Sequence, residues 1–378
     1  MKTKTKIKLL LLAAFTVWIV VLSFQTYEYP DAKDINKRVK YLERTINQPL
    51  NKDAAIMRIG KESSLEFMLF SYAYSSYALT NIAIKDSTYT ERAVNLIHES
   101  ILKVLDKRLY SPYHIDTALV GLDSIPDYSV LYLGHLNLML GCYRLLSDDG
   151  SFNDLNNKIS ESLYRRYNAT EFMCLESYPT AIWIPDNTVA LASLKLHSVN
   201  AGNDYDSVCE RWVEYAKRHY IDEETGVLYS TVDVITGQPK EEPRGAMLGW
   251  SIMFIYHFDS EFAIKLYNNY KNNFSDNLFI FRLFNERYND RGTNSGDIDS
   301  GPIIFGYSIP ANEFALGNAV LAGDYTTAKR LERLISMGAK SIENEDEKRY
   351  KLRFIDMNIS PMAEALVLYS LTMIRWIE

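Results

Sequence analysis

The sequence has 378 residues, of which 47% are hydrophobic and 24% charged, and these proportions exclude disordered, collagen-like and coiled-coil chains. The net charge is -7, and four lysines lie within the first eight positions, which leaves 37 of the 41 basic residues against 48 acidic ones. Binding to nucleic acid depends on neutralising phosphates with basic side chains. An acidic chain without a basic stripe argues against nucleic acid as a partner.

The N-terminal segment, residues 1–27, is predicted to be a membrane anchor. Lysines precede an uncharged run of sixteen residues, Leu9–Phe24, an order typical of a signal peptide or an uncleaved signal anchor. The end of the run lacks the small residues of a cleavage site, which favours the uncleaved anchor. Because lysines precede the run and Asp31 and Asp34 follow it, we expect a single-pass N-in, C-out protein. Its body would lie in the periplasm or outside the cell.

The cysteine and histidine content argues against a disulfide framework and a metal centre. The three cysteines are odd in number and form no CxxC pair, so buried thiols are expected, with at most one disulfide. The six histidines show no ligand spacing, and the motifs of nucleotide-binding enzymes, zinc proteases and α/β-hydrolases do not occur. We therefore predict neither a metal nor a cofactor.

From residue 60 the chain is a series of paired helices. Apolar residues recur at helical spacing over segments joined by short polar turns with stop and start signals. A helix near residue 40 could complete a sixth pair with the last helix. The predicted pairs are 61–83 with 87–106, 128–146 with 152–167, 187–200 with 205–219, 246–258 with 260–274 and 311–322 with 326–337, and the last helix covers 361–376.

Long links between the pairs favour an (α/α)6 toroid over an open solenoid. They cover residues 109–127, 168–186, 220–245 and 278–310, and compact domains seldom contain such long connections without a function. In a toroid these links would meet at one mouth, and a β-hairpin is predicted within 220–241. We expect a polar spacer and first helix at residues 28–59 and one all-α domain at residues 60–378.

His135 is the first candidate for chemistry. It lies with Asn137 in the run Tyr132–Met139, near the start of a predicted inner helix, 128–146, that is otherwise apolar. An imidazole in this place could act as a general acid or base inside the barrel. The alternative is a core histidine that is hydrogen-bonded to a backbone carbonyl.

The link that ends at Asp186 is the second candidate. Asp186 follows a proline and precedes a helix, so it could be a simple N-cap. Alternatively, it belongs to an aromatic-walled pocket. The substrate-binding residues predicted from this link are Glu176, Tyr178 and Trp183.

A third candidate is the loop that contains Asp297 and Asp299. The two carboxylates alternate along the chain, so an extended backbone would direct both to one side, where they could act as acid and base or bind hydroxyl groups. Arg244 begins a helix, a place that is unfavourable for a cation unless a carboxylate or an anionic ligand compensates it. Asp297, Asp299 or a substrate carboxylate could do so. The alternatives are a solvated turn and a surface salt bridge.

The run Gly-His-Leu-Asn-Leu-Met at 134–139 resembles the linalool dehydratase/isomerase family. The similarity extends to residues 187–190 and 221–226, and it covers most of residues 60–323. The resemblance implies an (α/α)6 barrel, an exported location and a homo-oligomer. It also implies an acid/base isomerase and dehydratase of monoterpene alcohols that uses a histidine, two cysteines, and aspartate and tyrosine groups.

In this resemblance His135 matches the family histidine, but other positions differ. The two cysteine positions correspond to Ser177 and Asp186, and a family tyrosine before Trp250 corresponds to Ala246. The loss of both thiols, together with Asp186 and Arg244, favours a more polar substrate than a terpene.

Three functions follow from these features. The first is a lyase or isomerase with His135 and Asp186 in proton transfer. The second is a glycoside hydrolase or polysaccharide lyase, in which Asp186 works with Asp297 or Asp299, and Tyr178, Trp183 and Trp250 stack on sugar rings. The third is a non-catalytic binding protein. The expected partner is a small molecule or saccharide.

Overall fold

The computed structural model describes residues 3–50, 66–289, 296–297, 300–301, 303–353 and 358–377. Helices dominate these residues. They are α1 (Thr3–Ser23), α2 (Ala32–Asn47), α3 (Glu66–Lys85), α4 (Thr90–Val104), α5 (Lys107–Tyr110), α6 (Val130–Leu146), α7 (Asn153–Ala169), α8 (Ile184–Ala201), α9 (Asp206–His219), α10 (Gly245–Ile255), α11 (Ser260–Asn273), α12 (Ile309–Leu321), α13 (Tyr325–Gly338) and α14 (Pro361–Leu371).

Within the described residues, six inner helices form a closed ring. Helix α3 packs on α6, α6 on α8, α8 on α10, α10 on α12 and α12 on α14, and α14 returns to α3. Helices α4, α7, α9, α11 and α13 lie outside, each after its inner partner, and α2 packs against α14 as the sixth outer helix. This closure confirms the predicted toroid of helical pairs, because a solenoid would leave its two ends apart.

The burial of each helix follows from its sequence. Every residue of α10 is buried, as expected for a helix that is apolar on all sides. Helix α9 instead buries one stripe, with Val208, Trp212 and Ala216 inside and its charged residues outside. Gly134 permits the close packing of α6 on α8, since a Cβ atom there would lie 3.1 Å from the Cβ atom of Ala190.

The long links all lie at one mouth of the ring. Each runs from an outer helix to the N-terminus of the next inner helix, whereas short turns join inner to outer helices at the opposite end. The predicted hairpin is formed by β2 (Thr231–Val232) and β3 (Pro239–Glu241), and β1 (Ile182–Trp183) adds a third strand. Antiparallel hairpins that the sequence analysis missed pair β4 (Ser275–Leu278) with β5 (Phe281–Phe284), β6 (Ile303–Ile304) with β7 (Tyr307–Ser308), and β8 (Ala339–Glu343) with β9 (Lys348–Leu352).

The N-terminal helix corrects the prediction of a membrane anchor. Over the part of the chain that the structure describes, no helix is both long and apolar enough to cross a membrane. Helix α1 includes lysines in its first turns. The uncharged part after them, ending at Ser23, would be about 22 Å long, shorter than the roughly 30 Å of a bilayer core. The predicted single-pass membrane location is therefore wrong.

Candidate active site

His135 lies inside the ring, near the mouth that carries the long links. Helix α6 begins at Val130, where the Ser129 hydroxyl accepts a hydrogen bond from the backbone N–H of Tyr132 at 3.3 Å. His135 is therefore about one turn into the helix, and its side chain is fully buried. Because burial disfavours the charged imidazolium, it lowers the pKa of His135 to about 3. The imidazole is neutral at physiological pH.

The hydrogen bonds of His135 differ from those of the predicted core histidine. Its Nδ1 atom lies 2.9 Å from the Tyr77 hydroxyl oxygen, which is also 3.3 Å from the backbone carbonyl oxygen of His135. The imidazole thus shares a hydrogen bond with the Tyr77 hydroxyl at Nδ1. Its buried Nε2 atom has no hydrogen-bond partner in the described part of the chain.

Aromatic side chains from α3, α10 and α12 form a cluster that includes the His135 ring. The His135 ring lies 5.3 Å from the Phe70 ring, 6.1 Å from the Tyr74 ring and 5.8 Å from the Trp250 ring, measured between centroids. Phe314 stacks on Trp250 at 5.8 Å. The Tyr74 hydroxyl oxygen and the Trp250 Nε1 atom are also buried without a hydrogen-bond partner in the described part of the chain.

Two buried carboxyl groups lie close to Tyr74. Burial raises the pKa of the Tyr74 hydroxyl well above its usual value, and the negative charges of Asp186 and Glu313 raise it further. Asp186 is the third residue of α8, and Glu313 lies near the start of α12. Burial, assisted by the charge of Glu364, raises the pKa of Glu313 to about 8. Glu313 is consequently protonated at neutral pH and can donate a proton.

The structure does not place Asp186 at the N-cap considered in the sequence analysis. The N-cap of α8 is Trp183, which makes no side-chain capping bond, and Pro185 occupies the first turn. Asp186 is only 3% exposed. It lies inside the first turn of α8, close enough to Tyr74 for its charge to raise the pKa of that hydroxyl.

Arg244, the N-cap of α10, belongs to a second charged cluster. Its Nε atom donates to Glu286 Oε1 at 2.9 Å, and its Nη2 atom donates to Asp297 Oδ1 at 2.7 Å. Glu286 Oε2 also accepts a hydrogen bond from the backbone N–H of Ala246 at 3.1 Å. These carboxylates raise the pKa of Arg244 although burial opposes its charge. The compensating carboxylate expected from the sequence is thus Asp297, together with Glu286.

The structure brings only some of the predicted site residues together. The rings of His135 and Trp250 are in contact. Asp186 lies near the same cluster, since its charge raises the pKa of the Tyr74 hydroxyl. Arg244 and Asp297 form the separate cluster at the start of α10. Asp299 lies outside the described residues.

The three residues predicted from the link before α8 have local roles. Glu176 is exposed, and its carboxylate accepts a hydrogen bond from the backbone N–H of Thr180 at 3.0 Å. Tyr178 stacks on Tyr113 at 6.1 Å, and Trp183 lies in β1, paired with Thr231. Their binding role stays a prediction.

The sequence analysis missed Tyr74, Tyr77, Glu286, Glu313 and Glu364. A usable signal existed for the two glutamates on inner helices, because each is the single charged residue of an otherwise uncharged helix. A lone acid near the start of a buried helix is costly unless it is neutral or paired. Across the described ranges, no group of three or more His, Cys, Asp or Glu side chains is arranged to hold a metal ion.

The family model of linalool dehydratase/isomerase matches residues 114–283. This range includes His135, Asp186, Arg244 and Trp250. The resemblance inferred from the sequence is confirmed there. Tyr74 and Glu313 lie outside the matched range, so the match does not extend to the whole set of buried polar groups.

Solved carbohydrate-active enzymes share the fold. The α-1,6-mannanase GH76A of Salegentibacter sp. HEL1_6 is 9% identical with a TM-score of 0.53, and the alignment covers 90% of this chain and 99% of the mannanase. The unsaturated glucuronyl hydrolase of Bacillus sp. GL1 is 12% identical with a TM-score of 0.55, and the alignment covers 90% of this chain and 94% of the hydrolase. At such low identity the likeness shows the fold alone.

Proposed function

We propose that this protein is an acid/base enzyme of the lyase or isomerase type that removes, adds or shifts a hydroxyl group on a small hydroxylated molecule. The observation that carries the proposal is the set of three unsatisfied polar atoms, Tyr74 Oη, His135 Nε2 and Trp250 Nε1, in one buried aromatic cluster. Their rings lie 5.8 to 6.5 Å apart between centroids. Native proteins rarely leave buried polar atoms unpaired, so a bound ligand is a natural partner for them.

The chemistry of these atoms favours an oxygen-bearing ligand. The indole N–H of Trp250 can only donate, and the Tyr74 hydroxyl stays protonated because its pKa is raised, so it can also donate. If the nearby Tyr77 hydroxyl donates to Nδ1 of His135, Nε2 carries the imidazole proton and becomes a third donor. A substrate hydroxyl or carbonyl oxygen would satisfy such donors.

The two carboxyl groups supply the proton transfers. Glu313 is neutral at physiological pH because burial raises its pKa to about 8, so it can protonate a departing hydroxyl group. The C–O bond then breaks and water leaves with that proton. Asp186 accepts a proton from the adjacent carbon, and the C–H electron pair forms the double bond. The reverse steps hydrate the double bond, and elimination followed by hydration at another carbon isomerises the alcohol.

The substrate is proposed to be more polar than the monoterpene alcohols implied by the family resemblance. One family cysteine position corresponds to Asp186, a buried carboxyl group. The other corresponds to Ser177, whose hydroxyl accepts a hydrogen bond from the backbone N–H of Trp183 at 3.2 Å and thereby closes a turn. Ser177 is thus assigned a structural role, and Asp186 and Glu313 carry the proton transfers.

The proposal can be tested before the substrate is identified. The protein is incubated in D2O with a panel of small secondary and tertiary alcohols, hydroxy acids and alkenes, and proton NMR detects deuterium incorporation and loss or gain of water. Turnover of one compound class by wild type is expected, with loss in Glu313→Gln and Asp186→Asn. The control Glu210→Gln changes an exposed carboxylate on outer helix α9 and should keep full activity.

A carbohydrate-active enzyme is the second candidate. One observation favours it: Asp297 is half-exposed at the mouth, and the backbone N–H of Ser300 and the Arg244 charge lower its pKa although burial opposes this. An ionised Asp297 could act as the base of a hydrolase or lyase. A mannanase of the same fold binds α-1,6-mannotetrose. Release of reducing ends from α-1,6-mannan, or of unsaturated products from uronic acid polymers, with loss in Asp297→Asn, would favour this candidate over the first.

A further inference from the structure

A second buried acid, Glu364, lies on the inner helix next to Glu313. The helices α12 and α14 pack on each other and begin alike, since the hydroxyls of Ser308 and Ser360 accept hydrogen bonds from a backbone N–H of the first turn at 3.2 and 3.1 Å. Each helix then carries its acid within the next few residues. Glu313 and Glu364 are therefore at the same mouth of the ring, and they are 7% and 4% exposed.

Glu364 is held by the hairpin that covers the start of α14. Its Oε1 atom accepts a hydrogen bond from the backbone N–H of Tyr350 in β9. The Tyr350 hydroxyl in turn accepts a hydrogen bond from Nη2 of the buried Arg38 at 2.9 Å, and Arg38 also donates from Nε to Asp34 at 2.8 Å. This chain of contacts fixes the carboxyl group of Glu364 in one place.

Burial and the groups around Glu364 have opposite effects on the pKa of its carboxyl group. Burial raises its pKa, whereas the Tyr350 N–H and the positive charges of Arg38 and Arg349 lower it, and the result is a pKa of about 7. Among the described residues, burial and the negative charge of Glu364 are the influences that raise the pKa of Glu313. Of the two acids, Glu364 therefore ionises first as the pH rises.

We propose that Glu364 is a positioning residue whose carboxylate keeps the catalytic proton on Glu313. The inference rests on the proposed acid role of Glu313. Two like charges in one buried cluster cannot both form readily, so ionisation of the first group holds the proton on the second. Between about pH 7 and 8 the main form of the pair then carries one negative charge on Glu364 and one proton on Glu313.

The direct test is the titration of Glu313 itself, measured by infrared spectroscopy of the full chain. The C=O band of its protonated carboxyl group is identified as the band that Glu313→Gln removes. In wild type this band is expected to disappear with a midpoint near the Glu313 pKa of about 8. In Glu364→Gln, whose amide oxygen can still accept the Tyr350 N–H, the midpoint should move to lower pH. An unchanged midpoint would overturn the proposal.

Two further variants guard against a purely structural effect. Glu364→Asp keeps the charge and should leave the Glu313 midpoint closer to wild type than Glu364→Gln does, even if both variants lower the melting temperature. Glu345→Gln, an exposed acid in the turn of the same hairpin, should not move it. A shift of equal size in all three variants would contradict a specific effect of the Glu364 charge.

Activity measurements separate this inference from the proposed function. If Glu313 is the acid, the alkaline limb of the pH–rate profile should move to lower pH in Glu364→Gln, with little change at a pH where both groups are protonated. If the infrared midpoint moves but the rate does not follow, Glu364 still controls the Glu313 proton, and Glu313 is not the acid.

Discussion

The Nδ1 atom of His135 lies 2.9 Å from the Tyr77 hydroxyl oxygen, and both side chains are fully buried. This contact joins the neighbouring inner helices α3 and α6, and the His135 ring lies 6.1 Å from the Tyr74 ring and 5.8 Å from the Trp250 ring, measured between centroids. The geometry makes His135 a neutral hydrogen-bonding group. In the proposed function, Asp186 and Glu313 carry the proton transfers.

Removal of the Tyr77 hydroxyl should destabilise the fold and disturb the site. In Tyr77→Phe the Nδ1 atom loses its buried partner, so the free energy of unfolding is expected to fall by about 1–3 kcal/mol. Urea denaturation measures this change. The control Tyr325→Phe alters a half-exposed tyrosine on outer helix α13 and should change it by less than about 0.5 kcal/mol. Equal effects of the two substitutions would contradict a special role for the Tyr77 contact.

Buried histidines should make the protein sensitive to acid. Burial lowers the pKa of His135 and His257 to about 3, and that of His197 to about 4, from an ordinary value of 6.5. The unfolded chain therefore binds more protons than the folded chain between these values and about 6.5. Stability is full above pH 6.5 and falls as the pH drops toward 3.

The contribution of His135 can be separated by substitution. Denaturation in urea at several pH values should show a smaller loss of stability on acidification in His135→Asn than in wild type. His114→Asn is the matched control, because His114 is exposed and has a φ of 59°, which asparagine tolerates. An equally steep acid loss in wild type and His135→Asn would show that the imidazole is not protonated on unfolding.

The raised pKa of Glu313 predicts that stability also falls with rising pH, in the neutral to alkaline range, the opposite of the effect of the buried histidines. Its folded pKa of about 8 is raised above the ordinary 4.5, so the folded chain holds a proton that the unfolded chain releases. The stability from this group is present below about pH 4.5 and is lost as the pH rises through about 8. In Glu313→Gln this alkaline loss should be smaller, as measured by melting temperature between pH 5 and 9. An unchanged alkaline slope would contradict a protonated Glu313.

The Arg244–Glu286 pair should be essential for the start of α10. Both side chains are nearly inaccessible, at 5% and 2% exposure. Arg244→Met leaves a buried carboxylate without its cation, which is expected to cost about 3–5 kcal/mol of stability. The double variant Arg244→Met, Glu286→Gln should lose less than the sum of the single changes. The exposed pair Arg218–Glu214 is the control, and Arg218→Met should change stability by less than about 1 kcal/mol.

Much of the fold could be predicted from the sequence because helix periodicity and turn residues are local signals. The inner helix α10 and its short turn to α11 were found near their observed bounds. The ring closes where α14 packs on α3, and α2 packs on α14 as the sixth outer helix; these contacts join the two ends of the chain and have no local signal. The hairpin β8–β9 was missed because its strands are charged and each has only one buried residue.

The site was predicted less completely, for a physical reason. His135 stood out because a polar residue interrupts an apolar helix, and Trp250 and Asp186, which the sequence analysis also named, are both buried. Tyr74 was overlooked among the many tyrosines of α3, since only its buried, unsatisfied hydroxyl distinguishes it. The raised pKa of Glu313 comes from burial and from Glu364, which is distant in the sequence.

The central claim is that Glu313 donates the proton that expels the hydroxyl group. The most direct measurement is the pH–rate profile of dehydration for wild type and Glu313→Gln, on the compound class that shows deuterium incorporation. We expect the wild-type rate to fall as the pH rises through about 8, the pKa of Glu313, and Glu313→Gln to lose at least about a hundredfold in kcat. A Glu313→Gln enzyme with wild-type turnover and the same alkaline limb would contradict the account.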